Sequence, residues 1–146
     1  GLTPGKTYIF YIQNYVSSSD KANSNSVTAA TNEAIGYFAW TNDDATNIQS
    51  GQPVTNLTAS AWRNLIAKVA ACGGSTGSIP TASSGTKITA NHFNQMRNAI
   101  SGLTGAGSVA SSVTSGTSKV LASLFANATT ALKEAINRAI SAKNNQ

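Results

Sequence analysis

Two stretches of this 146-residue chain open a helix with the same pattern, 31 positions apart. Leu57-Thr58-Ala59-Ser60-Ala61-Trp62-Arg63-Asn64 aligns with Ile88-Thr89-Ala90-Asn91-His92-Phe93-Asn94-Gln95. Leu121-Ala122-Ser123-Leu124-Phe125-Ala126-Asn127 follows less closely and places Phe125 32 positions after Phe93. A helix with an apolar stripe cannot bury that stripe alone, so three such units joined by Gly- and Ser-rich connections must pack on one another. Thr58 is the N-cap expected before Ala59 to Ala71, where Trp62, Leu65, Ile66 and Val69 stand at i, i+3, i+4 and i+7, closed by Gly73-Gly74. Thr89 precedes Ala90 to Leu103, in which Phe93, Met96, Ile100 and Leu103 share a face. The spacing predicts a third helix from about Lys119 to Ala142. There Leu121, Phe125, Ala128, Leu132, Ala135 and Ala139 form a heptad seam that Leu124, Ile136 and Ile140 broaden. That face predicts either a core of the chain's own or assembly of subunits, with Leu121, Phe125, Leu132 and Ile136 as interface candidates. Trp62, Phe93 and Phe125 are read as equivalent core aromatics and not as a ligand-stacking set.

The first third has the opposite character. In Tyr8-Ile9-Phe10-Tyr11-Ile12-Gln13-Asn14-Tyr15-Val16, aromatic and β-branched density favours a strand. Period two sets Tyr8, Phe10 and Ile12 on one face and Ile9, Tyr11, Gln13 and Tyr15 on the other. After a polar stretch, Val27 to Thr31 returns, so residues 6 to 16 and 25 to 31 are expected to pair as antiparallel strands. An isolated hairpin is marginal in water and leaves open edges. Tyr8 and Phe10 are therefore expected in a core, and Ile9, Tyr11 and Tyr15 at an interface. Residues 32 to 53 read as a short extended segment followed by a polar loop.

Gly1-Leu2-Thr3-Pro4-Gly5-Lys6-Thr7-Tyr8-Ile9-Phe10 resembles the turn and penultimate strand of fibronectin type III domains, and Asn25-Ser26-Val27-Thr28-Ala29-Ala30-Thr31 is similar to their last strand. The resemblance implies that the Tyr8 hydroxyl bonds backbone upstream while its ring packs inside a sandwich. It covers residues 1–31 only, and the earlier strands of such a module are not in the sequence. The expected fold is α+β: a fibronectin-like β-hairpin, a partial β-sandwich, over 1–31, then a small, mostly helical domain of three repeat-like helices over 32–146.

A second resemblance spans most of residues 35 to 140. Phe38-Ala39-Trp40-Thr41, Asn56-Leu57-Thr58-Ala59-Ser60-Ala61-Trp62-Arg63-Asn64-Leu65 and Phe93-Asn94-Gln95-Met96-Arg97-Asn98-Ala99-Ile100 are similar to the C-terminal regions of structural proteins of tailed bacteriophages and prophages. Those proteins show F-x-W-T, N-L-T-A-x-E-W-N-x-L and F-N-x-x-R-x-A-I, often after fibronectin-like modules. Ala61 stands where the pattern commonly has Glu, so the capping box is lost in the first helix, and Arg63 stands where it has Asn. The resemblance implies a non-enzymatic virion component, tail-associated or on the particle surface, acting in assembly or host attachment. Its expected partners are other virion proteins, further copies of itself and a host surface polysaccharide or receptor, and its expected location is the extracellular particle.

Little in the chain supports chemistry. Five carboxylates, one His and one Cys are thin material for an acid/base pair or a metal site. Asp43 and Asp44 are adjacent and point to opposite faces of an extended segment. Cys72 and His92 lie 20 positions apart, and the lone Cys cannot form an internal disulfide. Gly73-Gly74-Ser75-Thr76-Gly77 lacks the Lys of a phosphate loop. The net charge of +5 arises without two adjacent bases, so a nucleic-acid tract is not expected. No apolar run approaches the ~20 residues of a membrane span. No catalytic residue, metal or cofactor is expected. A different reading is a secreted bacterial surface module that binds polysaccharide through exposed Tyr11, Tyr15 and Trp40.

Overall fold

The computed structural model describes residues 2–15, 21–23, 25–40, 57–116 and 121–146, with 13–15 and 21–23 described by their backbone. They form an α+β chain in two compact units, Gly1–Ala34 and Ile35–Gln146.

The first unit is a hairpin built from two ladders. Strand β1 (Thr7–Phe10) pairs antiparallel with β4 (Val27–Ala30), Thr7 opposite Ala30 and Phe10 opposite Val27. Strand β2 (Gln13–Tyr15) pairs with β3 (Lys21–Asn23), Gln13 opposite Asn23. The ladders are one residue out of step: Tyr11 and Ile12 separate β1 from β2, whereas three positions, 24 to 26, separate β3 from β4. This is the count of a β-bulge. Of the pairing expected between 6 to 16 and 25 to 31, only β1 with β4 forms; β2 pairs instead with β3, inside the stretch read as a polar connection. The turn before β1 is tied to the end of β4. The Thr31 hydroxyl donates to the Thr3 carbonyl at 2.7 Å and accepts from the Lys6 N–H at 3.0 Å, and the Thr31 N–H donates to the Lys6 carbonyl at 2.8 Å. The Tyr8 hydroxyl accepts from the Thr3 N–H at 2.7 Å.

Cross-strand pairing puts Tyr8, Phe10, Val27 and Ala29 on one face, where the Tyr8 and Phe10 rings lie 6.3 Å apart. Phe10 remains 46% exposed and Val27 64%. The core position expected for Phe10 is therefore corrected. A two-stranded ladder is one layer thick and offers no second layer of its own to bury an aromatic against.

The second unit holds helices α1 (Ala59–Ala71), α2 (Ala90–Ser101), α3 (Ala122–Phe125) and α4 (Leu132–Asn144). Trp62, Leu65 and Val69 on α1 and Phe93, Met96 and Ile100 on α2 are fully buried, the same i, i+3, i+7 spacing on each helix. Phe125 of α3 and Leu132, Ile136 and Ile140 of α4 complete one core with them. Thr58 caps α1 by accepting the Ala61 N–H at 3.2 Å, and alanine at that third position has nothing to return. On α2 the return bond exists. Thr89 accepts the His92 N–H at 3.4 Å, while the His92 ring Nδ1 takes the Thr89 N–H at 3.3 Å, so an imidazole does the work usually done by Glu.

The continuous helix expected from 119 to 142 is broken, and this is a second correction. Ala126 is extended and Asn127 takes φ +64°, so the heptad seam does not run as one face. Tertiary context overrides local propensity here: beyond the break Thr129 O accepts from Arg138 and Thr130 O from the Ala110 N–H, bonds that tie this stretch to distant parts of the chain. Gly105 lies against α4 with φ +79°, where an added Cβ would overlap that of Ala142.

Phe93 touches Phe125 edge-on with ring centroids 5.5 Å apart and has no exposed surface. Phe93→Ala should cost about 3–5 kcal/mol, as truncation of a buried aromatic does. Denaturant unfolding followed by the tryptophan signal checks this, and an unchanged midpoint would contradict the core assigned here.

Candidate functional site

The polar residues that flank the buried stripes of α2 and α4 hold extended backbone. Ile35 to Trp40 runs antiparallel to α4 with no strand beside it among the described residues. Asn137 serves one residue of it completely: the Phe38 N–H donates to Oδ1 at 2.7 Å, and Nδ2 donates to the Phe38 carbonyl at 2.9 Å. Two turns on, Asn144 does the same for Ile35, at 2.8 and 2.9 Å. The pitch explains the pairing. Seven helical residues rise ~10.5 Å and three extended residues span ~10 Å, so amides at i and i+7 of a helix meet positions j and j−3 of an antiparallel extended chain.

The segment is anchored by its alternate side chains. Phe38 and Trp40 point inward and meet edge-on at 4.7 Å, Trp40 packs on Phe125 at 5.9 Å, and the indole N–H donates to the Phe125 carbonyl at 3.2 Å. Tyr37 and Ala39 face outward. Trp40 is 4% exposed, so it is not available as a sugar-stacking surface, and that expectation is corrected. Its ring fills the core and its N–H has a protein acceptor.

A second extended segment is held the same way on α2. Asn94 exchanges two bonds with Val113, at 2.8 and 2.9 Å, and Arg97 Nε donates to the Ala110 carbonyl at 2.8 Å. Arg138 of α4 donates to the carbonyls of Ala106, Ser108 and Thr129 at 2.8, 2.7 and 2.6 Å. Both guanidinium groups thus serve backbone oxygens, as a fixed fork of donors permits. The ion pair Lys133–Glu134, by contrast, is long at 3.9 Å and lies at the surface.

The residues named from the sequence are dispersed. Trp62, Phe93 and Phe125 meet in one buried cluster. Leu132 and Ile136 join it with no exposed surface, so the assembly face expected on the third helix is internal, which corrects the interface role given to Phe125, Leu132 and Ile136. Leu121 is half-buried. Ile9 and Tyr11 stand exposed on the hairpin, at 66% and 57%; Tyr8 is half-buried, and the side chain of Tyr15 lies outside the described residues. Donors from Thr3, its hydroxyl first and then its backbone N–H, lower the Tyr8 phenol pKa. Asp43, Asp44 and Asn56 also lie outside the described residues.

His92 is committed to its helix cap and stacks edge-on against Trp62 at 6.1 Å. Burial pushes the Cys72 thiol above its ordinary value, and the charges of Lys143 and Lys68 offset this only in part. An open depression of about 370 Å³ at the start of α1 is lined by Leu57, Ser60, Arg63, Ser83, Thr86 and their neighbours. Two of its hydroxyls already close local turns, Thr58 on Ala61 and Thr86 on Ser83. Among the described residues no cluster of His, Cys, Asp and Glu could hold a metal ion, and no helix is long and apolar enough to cross a membrane. The polar side chains described above are occupied in holding extended segments of the chain itself.

Reading the sequence for chemistry missed Asn94, Arg97, Asn137, Arg138 and Asn144. The available signal was position: each of Asn94, Arg97 and Asn137 directly follows a buried residue of its helix, which places it on the flank of the apolar stripe. No family model, curated protein or solved structure matches the chain.

Asn137→Asp keeps an acceptor for the Phe38 N–H but sets an oxygen against the Phe38 carbonyl. We expect a loss of about 1–3 kcal/mol at neutral pH. A protonated carboxyl can donate to that carbonyl, so the folded chain holds the introduced proton more tightly than the unfolded one. The deficit therefore shrinks in acid and returns as pH rises. Urea midpoints of both chains at acidic and neutral pH check this. For Cys72 the raised pKa means that iodoacetamide should alkylate the folded chain more slowly than the unfolded chain at mildly alkaline pH. The same shift removes stability as pH rises above the unfolded thiol value, since the folded state retains the proton longer.

Proposed function

We propose that this chain is a non-enzymatic structural module of a bacteriophage virion, tail-associated or on the particle surface, which acts in assembly or host attachment. The observation that carries the reading is the part played by the residues of the phage-like motifs. In F-x-W-T, Phe38 and Trp40 anchor the extended segment; in F-N-x-x-R-x-A-I, Phe93 and Ile100 fill the core while Asn94 and Arg97 clamp backbone. A pattern whose polar members bind the chain's own main chain encodes an architecture, and its bearers are expected to be scaffolds.

The reading of residues 1–31 as the end of a fibronectin type III-like module is supported by the Tyr8 hydroxyl, which accepts from upstream backbone at Thr3. The equal spacing of buried residues on α1 and α2 supports their origin as repeats. Partners in this reading are other virion proteins and further copies of the chain, and its place is the extracellular particle. Exposed Ile9 and Tyr11 remain as contact residues for that role. The polysaccharide-binding alternative has lost Trp40, the largest of its three proposed contacts.

The test is made on particles. After induction of a strain carrying the gene, particles banded on a density gradient should contain the protein at a fixed ratio to the major capsid or tail protein, as measured by quantitative mass spectrometry. Protein found only free in the medium, with none in the particle band, would overturn the reading.

A further inference from the structure

The segment Ile35–Trp40 is seated in its groove as a ligand is, and we propose that the groove on α4 also accepts this segment from a second copy of the chain, so that copies link by exchanging it. This does not depend on the virion reading. The segment belongs to no sheet and no helix. It is held by four bonds from Asn137 and Asn144, by the indole N–H on Phe125 O, and by two inserted aromatic rings. Every one of these contacts is indifferent to which copy supplies the strap, so exchange between copies conserves them all.

The occupant is specified closely. The amides of Asn137 and Asn144 read the backbone of two residues three apart, which fixes direction and register. The inward aromatics then have to fall at the second of those residues and two beyond it. An extended Ile-x-x-Phe-x-Trp meets both conditions, and residues 35 to 40 supply it. The outward positions, Gly36, Tyr37 and Ala39, are uncharged, so nothing on the strap repels a like copy.

Position in the chain separates this strap from the other. Residues 106 to 113 lie between α2 and α3 in the chain and are gripped from two helices, by Arg97 and Asn94 of α2 and by Arg138 of α4. That segment cannot leave while both helices stay packed. Ile35–Trp40 is the first segment of its unit and directly follows the hairpin unit. It can leave with the four helices still connected in sequence, and a strap given to another copy takes its hairpin unit with it. Reciprocal exchange closes a dimer, and one-way exchange extends a chain of copies.

The experiment uses the full chain with Phe38→Ala, which weakens the strap and leaves the groove intact, and with Ile35→Pro, which removes one donor to Asn144, should the first variant not fold. A synthetic peptide of residues 32 to 41 is added, together with a control peptide carrying alanine at Phe38. The native-sequence peptide should raise the thermal midpoint by about 5 °C once it is some tenfold above its dissociation constant. It should also move the side-chain amide resonances of Asn137 and Asn144, whereas the control peptide should do neither. No effect, or an equal effect of both peptides, overturns the proposal. The second readout is the wild-type chain, incubated at high concentration near its midpoint and cooled. Sedimentation should find a dimer that Phe38→Ala forms at least tenfold less. A peptide effect with only monomer in this sample would show a groove that opens without exchange between copies, and the proposal would fail.

Discussion

Every buried main-chain N–H and C=O needs a partner, and in the helical unit that requirement falls hardest on two extended segments that have no strand beside them among the described residues. The solution is a side-chain amide that presents an acceptor and a donor in one plane, with the spacing of a peptide group. Asn137, Asn144 and Asn94 each satisfy both groups of a single residue, as a neighbouring strand would. Because the amides are fixed to helices, the helices and the extended segments position each other. Phe38 and Val113 are thereby buried with both backbone groups satisfied.

Tertiary bonds also accompany the broken third helix. Local propensity and heptad spacing favour one helix through Leu121, Phe125 and Leu132, yet the carbonyls of Thr129 and Thr130 are taken by Arg138 and Ala110. The break lets Phe125 approach from a separate turn, so that it meets both Phe93 and Trp40. Arg138 holds three carbonyls from different parts of the chain and thereby joins the turn before α4 to the segment after α2. A single polar side chain thus ties together elements that apolar packing alone would leave free to slide.

In the hairpin unit the polar ties described above lie at the turn before β1. Thr31, Thr3, Lys6 and Tyr8 form a tight network at one end, while Ile9, Phe10, Tyr11 and Val27 keep large apolar surface exposed along the ladders. Its order rests on hydrogen bonds, because a single layer has nothing of its own to bury those side chains against.

Much of the framework was written locally in the sequence. Thr58 and Thr89 mark the starts of α1 and α2, and the i, i+3, i+7 apolar residues name their buried faces, since both follow from helical geometry within one element. The strand character of Tyr8 to Tyr15 and its return near Val27 were likewise legible from residue type and alternation. Other features were decided only by contacts between distant parts of the chain. The bulge depends on pairing across the hairpin, and the interruption at Ala126 to Ala131 goes with bonds to Arg138 and Ala110. The burial of Trp40 depends on Phe125, 85 positions away. The clamps formed by Asn94, Asn137 and Asn144 were invisible for the same reason. In the sequence each is an asparagine on a helix flank, and its meaning comes from the extended backbone that the tertiary structure lays beside it, 19 positions off for Asn94, 99 for Asn137 and 109 for Asn144.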